Sequence, residues 1–298
     1  MNRNLFSAYG RAAKPLEPGI GKTFILVPSG SALIPELQDN YPQDEDGVTR
    51  VYTDPATALA AVVSGRGDTI LVFPGTYTIT SVLSSSASDW RLVGVGKPGE
   101  AMFVGSASNI LTLTGDGVEI TSLGFTIAST KVAITLTSSD YNKIHNNLFL
   151  SNVGGTGSSF ITMSAASNHN RIEGNTFSSE LTTSGGALTQ AAHIIVLGTA
   201  NAIISNYFHV TRDSSTVAGA VTTSIWAGTT ATKGTRVEKN TFIESNGATF
   251  SAGVDYQMGV SGSVVTIENN FLLATAANAV INAGNSAGFG NNIANGTV

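Results

Sequence analysis

Cysteine is absent from the 298 residues, which excludes a disulfide framework and any thiolate metal site. Charge is scarce as well. Asp, Glu, Lys and Arg together make up only 12% of the chain, and the basic residues are scattered, with no run able to track phosphates. With a net charge of −5 and a pI near 5.3, nucleic acid is not an expected partner. No stretch of about 18 apolar residues occurs, so no membrane-spanning helix, and no membrane partner, is expected. The opening MNRNLFSAYGRAAKPLEPG lacks the apolar core of a secretory signal, which points to synthesis in a cytoplasm without export by that route. Nor is there a Ser-His-Asp order, a P-loop or a dinucleotide fingerprint. His145, His169, His193 and His209 lie 24, 24 and 16 residues apart, a spacing that fits no zinc motif. No cofactor and no metal are expected.

What the chain has in quantity is glycine, 33 residues, together with Ser, Thr and Asn throughout. That composition favours sheet and tight turns over long helices. It also has a repeat. Lys143-Ile-His-Asn-Asn-Leu-Phe149 recurs as Arg171-Ile-Glu-Gly-Asn-Thr-Phe177, Ala202-Ile-Ile-Ser-Asn-Tyr-Phe208 and Arg236-Val-Glu-Lys-Asn-Thr-Phe242. A shortened copy is Thr266-Ile-Glu-Asn-Asn-Phe271, and an earlier one without the asparagine is Glu119-Ile-Thr-Ser-Leu-Gly-Phe125. Counted on Phe125, Phe149, Phe177, Phe208, Phe242 and Phe271, the steps are 24, 28, 31, 34 and 29 residues. A period in this range marks a solenoid, propeller or array.

Within each unit the apolar residue at Ile120, Ile144, Ile172, Ile203 or Val237 alternates with polar neighbours, the pattern of a short half-buried strand. Two residues before the aromatic stands Asn147, Asn175, Asn206, Asn240 or Asn269. A side-chain amide at one fixed point of every turn can bond along a stack and satisfy bent backbone that no longer pairs regularly. An asparagine ladder is therefore expected beside a phenylalanine ladder. Further strands are expected between the motifs, at Ile110–Thr114, Val132–Thr137, Phe160–Met163, His193–Leu197, Ser224–Trp226 and Ala279–Asn282.

The pattern RIEGNTF, RVEKNTF, TIENNF resembles the parallel β-helix repeat of the pectate-lyase-like superfamily, over roughly residues 68 to 292. That superfamily holds pectin-degrading enzymes, other polysaccharide lyases and hydrolases, and the trimeric spike and fibre proteins of bacteriophages. The resemblance implies an all-β, right-handed, single-stranded parallel β-helix of about eight coils, some 40 Å long at the usual sheet spacing. It identifies architecture better than activity.

Residues 1–50 are expected to form an N-terminal arm and attachment region, and 51–298 the β-helix. Thr23–Val27 reads as a strand. Residues 35–48, PELQDNYPQDEDGV, read as an acidic surface loop; Asp39, Asp44, Glu45 and Asp46 carry the oxygen ligands that calcium takes, at a spacing unlike the EF-hand loop. Asp54 is a candidate N-cap and Pro55 a first residue for a helix over about 54–63. With the following TILVFPGTYTI it resembles the opening of phage-type β-helices, where a short helix covers the first coil. Ala56, Leu59, Ala60 and Val63 give it an apolar face.

Polysaccharide cleavage needs paired carboxylates, or a base beside charge-neutralising groups. Outward positions of the repeated strand carry Glu119, Lys143, His145, Arg171, Glu173, Arg236 and Glu238. In register, Glu119, Lys143 and Arg171 come together, and His145, Arg171 and Glu173 are the candidates for catalysis on an acidic sugar. Mixed charges on an outer sheet are otherwise solvated pairs of small energetic value. Arg212-Asp213 and Asp255-Tyr256-Gln257 are candidate groove residues, with Trp226 and Tyr256 as stacking surfaces for a glycan. Two functions follow. The first is a non-catalytic bacteriophage virion component, a head decoration, fibre or spike-like homotrimer, attached to other virion proteins through its N-terminal region and with glycans as a further partner. The alternative is a polysaccharide lyase or glycoside hydrolase.

Overall fold

The structure, a computed structural model, describes residues 21–296 apart from 45, 106–107, 128–129, 152–158, 182–187, 191, 213–218, 222–223, 228–233, 246–256, 259–263, 274–280, 283–288 and 291–292. Strands of each coil pass in turn to three sheets. These sheets have eleven, nine and eight strands, and a separate two-stranded sheet pairs Leu188–Gln190 with Gly219–Val221. Every pairing is parallel, for example Lys143–His145 against Arg171–Glu173 and Leu148–Ser151 against Thr176–Ser179. From Thr69 to Asn282 the chain completes eight such triplets, and Phe289–Gly290 with Ile293–Gly296 begin a ninth. This is a right-handed single-stranded parallel β-helix, the hand that right-twisted strands favour when they return to the same sheet.

Each strand is short because the chain must turn three times per coil, and its alternation sends one to three residues inward. Ile120, Ile144, Ile172 and Ile203 are fully buried in the first sheet. In the second sheet the aromatic column begins earlier than the repeat suggests. Tyr77 and Phe103 precede Phe125, Phe149, Phe177, Phe208 and Phe242. Successive ring centroids stand 5.3, 5.8, 5.1, 4.8, 4.8 and 4.7 Å apart, and the interplanar angle falls from 24° to 3°. Phe271 lies in register with Phe242. Stacking at the coil spacing keeps the faces of large rings out of water.

The corner between the first and second sheets carries the expected asparagines. Asn147, Asn175, Asn206, Asn240 and Asn269 are all buried. Asn147 Oδ1 accepts from the Leu123 backbone N–H at 3.0 Å. From Asn175 on, each Oδ1 accepts from the preceding asparagine's backbone N–H and Nδ2, at 2.9–3.1 Å. Each Nδ2 also donates to a first-sheet carbonyl one coil back, as Asn175 does to Ile144 at 2.9 Å. The residue just before each one is left-handed: Asn146, Gly174, Ser205, Lys239 and Glu268 have φ of 53–62°. That conformation is costly for side chains other than glycine. It persists here because the amides behind it hold the corner in place.

A second ladder, absent from the sequence reading, stands at the corner between the third and first sheets. Asn142, Asn170 and Asn201 are buried there; Asn142 Nδ2 donates to Asn170 Oδ1 at 2.9 Å, and the Asn170 backbone N–H donates to Asn201 Oδ1 at 2.9 Å. They too follow left-handed residues, Tyr141, His169 and Ala200.

At the N-terminal end, helix α1 spans Ile34–Asn40 and helix α2 spans Pro55–Ala60. Helix α2 is the cap. Asp54 accepts from the Thr57 N–H at 2.9 Å, and Pro55 and Leu59 line a small apolar cavity together with Leu26, Ile70, Leu83, Leu92, Phe103 and Leu111 of the first coils. Its buried face is Ala58 and Leu59, whereas Ala56 and Ala60 are exposed and Val63 is 48% exposed. Of the expected face only Leu59 is buried, because the helix ends at Ala60, before Val63, and turns Ala58 inward in place of Ala56 and Ala60. Asp68, fully buried, ties this end together: it accepts from the Lys22 and Val63 N–H groups and from the Arg66 guanidinium at 2.6–2.8 Å.

The first sheet also begins before residue 51. Thr23–Leu26 pairs with Thr69–Val72 and with Val51–Tyr52, so part of the expected arm is solenoid; residues 1–20 lie outside the described residues. Helix α1 corrects the reading of 35–48 as a loop over residues 35–40; the described residues from Tyr41 to Val48 form no helix or strand, as expected. Leu37 packs with Ile25, Val27, Phe73 and Val95, which are outward residues of the first sheet and too apolar to face water. The acidic segment beside it holds an ammonium: Lys22 Nζ lies 2.5 Å from Asp44 and 3.0 Å from Asp46.

If the amides hold the corners, Asn175→Ala should cost about 1–3 kcal/mol by leaving buried backbone groups unpaired. Phe177→Ala should cost about 3–5 kcal/mol through its cavity, while Thr176→Ala on the outer face stays within about 0.5 kcal/mol. Denaturant unfolding of the three variants tests the ranking, and an equal cost at Thr176 would reverse the assignment of faces.

Candidate functional site

The outer face of the first sheet is apolar beneath α1 and becomes charged at Arg91. From there its two outward columns are set by register. One runs Arg91, Glu119, Lys143, Arg171, Ala202, Arg236; the other runs Thr121, His145, Glu173, Ile204, Glu238. The expected proximity of Glu119, Lys143 and Arg171 follows directly from strand pairing.

His145 is the best-held group of the face. Its Nε2 lies 2.7 Å from Glu119 Oε1 across the columns, while Nδ1 lies 3.0 Å from Asn146 Nδ2 and 3.4 Å from Thr121 Oγ1. With Asn146 donating to Nδ1, the proton of a neutral imidazole resides on Nε2 and is donated to Glu119. Glu119 also faces Arg91, with Nε 3.2 Å from Oε2. The His145 hydrogen bond, reinforced by Arg91 and Lys143, holds the Glu119 carboxyl below its usual range against the opposing effect of burial. Glu119 is the residue that sequence reasoning underrated; its diagonal contact with His145 depends on side-chain reach, which register alone does not give.

Arg171 and Glu173 form a fork on one strand, two hydrogen bonds of 2.7 Å, and Arg236 and Glu238 repeat it two coils on with the same lengths. The Arg171 hydrogen bond depresses the Glu173 carboxyl, opposed by burial and assisted by Lys143 and His145. Both oxygens of Glu173 are thus engaged. His169 does not stack on His145; its ring lies on Tyr141 at 5.0 Å. Trp226 is half-buried in the third sheet opposite Ile195. Asp213, Asp255 and Tyr256 lie outside the described residues, as do the side chains of Arg212 and Gln257. Among the described residues no group of three or more His, Asp or Glu side chains is placed to hold a metal ion, and no helix is long and apolar enough to cross a membrane.

No family model matches the chain, and no curated protein matches it. Among solved structures it is similar to a mutant pectin methylesterase in complex with a hexasaccharide, with a TM-score of 0.50 and 13% identity over 87% of this chain and 80% of that one. It is also similar to a PL6 family alginate lyase, AlyGC, with TM-score 0.41 and 12% identity over 95% and 41% of the two chains. A third is ORF18 of Geobacillus virus E2, with TM-score 0.31 and 13% identity over 86% and 63%. At such identities the first likeness shows a shared parallel β-helix fold and nothing of activity.

The Glu119 arrangement has a pH signature. Its depressed carboxyl stabilises the fold above the ordinary glutamate range, and that contribution is lost as pH falls through the depressed value. Glu119→Gln should therefore lower stability at pH 7, by no more than about 1 kcal/mol at this partly exposed site. The difference from the wild type should vanish in acid. Urea titrations between neutral and acid pH check this; a difference unchanged by acid would show that Glu119 acts through packing instead of charge.

Proposed function

We propose that the protein is a non-catalytic structural β-helix, a bacteriophage virion component of the decoration, fibre or spike kind, acting as a homotrimer. The observation that carries the non-catalytic part is the pairing of the candidate catalytic groups. Glu173 gives both oxygens to Arg171, and His145 spends Nε2 on Glu119 and Nδ1 on Asn146. A base for polysaccharide cleavage needs a lone pair within reach of the substrate proton, and on this face both ring nitrogens of His145 and one lone pair on each Glu173 oxygen are engaged by neighbours of the same sheet. The virion part is supported by the resemblance of the α2 cap and the TILVFPGTYTI segment to the opening of phage-type β-helices. It is supported also by a sparsely charged solenoid, whose strength as a rod comes from side chains repeated along its axis.

One observation favours a second reading, a carbohydrate-active β-helix. The Glu119–His145 pair at 2.7 Å sits beside Arg91 and Lys143, a carboxylate and an imidazole near groups that neutralise an acidic sugar. The likeness to a pectin methylesterase agrees with that reading only at the level of fold.

Incubation with acidic and neutral polysaccharides, read by chain length, together with the solution mass of the full chain, separates the two. A trimer without depolymerisation is the expected result. Depolymerisation lost in a folded His145→Ala variant, or a monomer, would overturn the proposal.

A further inference from the structure

We infer that the corner between the third and first sheets carries a sugar-binding subsite, in which a neutral pyranose ring stacks on the free face of Tyr141 above Gly117. The positions two residues before the first-sheet strands form a column, Asp89, Gly117, Tyr141, His169, Ala200 and Gly234, because Arg91, Glu119, Lys143, Arg171, Ala202 and Arg236 are in register. All six have positive φ, from 53° to 70°. The second asparagine ladder lies directly behind the middle of it. Glycine meets this backbone requirement at two positions of the column without strain. Tyrosine meets it at a steric cost, and its side chain contributes little to the core, being 65% exposed.

One face of the Tyr141 ring is covered by His169, at 5.0 Å and 13°. The opposite face looks along the axis to the next coil, about 4.8 Å away, where Gly117 has no side chain. Among the described residues, His169 is the ring stacked on Tyr141, and at Gly117 no side chain of the column covers its other face. A flat ring placed there would stand from Tyr141 much as His169 does on the other side. Across the gap Asp89 leans in: a Cβ on Gly117 would lie 2.5 Å from Asp89 Oδ1, so a carboxylate acceptor borders the open space.

The chemistry of the rim selects the occupant. Asp89, Asp116 and Asp140 follow one another along the corner, and Asp116 and Asp140 each accept a single backbone N–H through Oδ1, from Asp140 and Asn168 at 2.7 and 2.6 Å. Carboxylates at this edge accept hydroxyl donors and repel phosphates and uronates. An aromatic face for ring C–H groups with acceptors at its border suits a neutral hexose or N-acetylhexosamine. The site lies outside the two charged columns and does not depend on whether the rod belongs to a virion or cleaves glycans.

Saturation-transfer NMR on the full chain tests it, with methyl β-D-glucopyranoside, methyl N-acetyl-β-D-glucosaminide, methyl β-D-glucuronide and adenosine as probes. Transfer to ring protons of one or both neutral glycosides is expected. Tyr141→Phe should retain it, and Tyr141→Ala should weaken affinity roughly tenfold, the scale of one aromatic stacking contact. Gly117→Asn, which tolerates positive φ once the Asp89 carboxylate turns aside from the new Cβ, should fill the gap and abolish transfer with Tyr141 intact. The inference is overturned by transfer to neither neutral glycoside, by transfer unchanged in both Tyr141→Ala and Gly117→Asn, or by preference for the glucuronide or adenosine. Thermal melts of each variant confirm that the fold is retained.

Discussion

A buried asparagine amide at the corner of each coil is the interaction on which the rest of the structure depends. A chain that turns three times per coil must bend its backbone where sheet pairing is interrupted, and the N–H and C=O groups at the bend are then orphaned away from water. One side chain with a two-donor and a one-acceptor end repairs this in three directions. Asn175 Oδ1 takes the Asn147 N–H, and Asn175 Nδ2 reaches both Asn206 Oδ1 and Ile144 O. Each amide orients the next, so neighbouring dipoles reinforce one another along the stack. The left-handed residue before each amide and the phenylalanine two residues after it are consequences: the first makes the bend, and the second places its ring on the ring of the coil before.

The same constraint decides what the surface can do. With corners and interior fixed by ladders, outward positions are free to vary, and their order along the axis becomes a pattern of patches. The first sheet is apolar under α1 and charged from Arg91 onward, and the forks Arg171–Glu173 and Arg236–Glu238 recur because the strand geometry recurs. At the third-to-first corner the ladder of Asn142, Asn170 and Asn201 supports Tyr141 and His169 in a conformation that neither residue prefers. Strain in the backbone is tolerated there because buried amides hold it from behind.

The parts of this organisation legible in the sequence are those requiring one residue type at one offset. Asn147 and its four successors could be read because no other side chain satisfies all three directions, and the phenylalanines because only a large flat ring fills the interior at that point. The second ladder sits seven residues before Phe149, Phe177 and Phe208, but Val118 and Thr235 replace asparagine at its ends, so the recurrence spans three copies. The left-handed positions were hidden for a different reason: Ser122, Asn146, Gly174, Ser205, Lys239 and Glu268 share a backbone angle and no side-chain chemistry. Helix α1 was masked by its acidic and proline residues, although Ile34, Leu37 and Tyr41 keep helical spacing. At the candidate site the columns were legible from strand alternation. The choice of Glu119 as the partner of His145, and the open face of Tyr141 above Gly117, depended on reach and on an absent side chain.

The most direct measurement of the central claim is the coupling between adjacent rungs, from a double-mutant cycle of Asn175→Ala and Asn206→Ala followed by denaturant unfolding. Because the Asn175 N–H and Nδ2 both donate to Asn206 Oδ1, the two losses should fall short of or exceed their sum by about 0.5–3 kcal/mol, as for residues sharing one network. Strict additivity would mean that each asparagine serves its own corner alone and that the amides do not act as a continuous ladder.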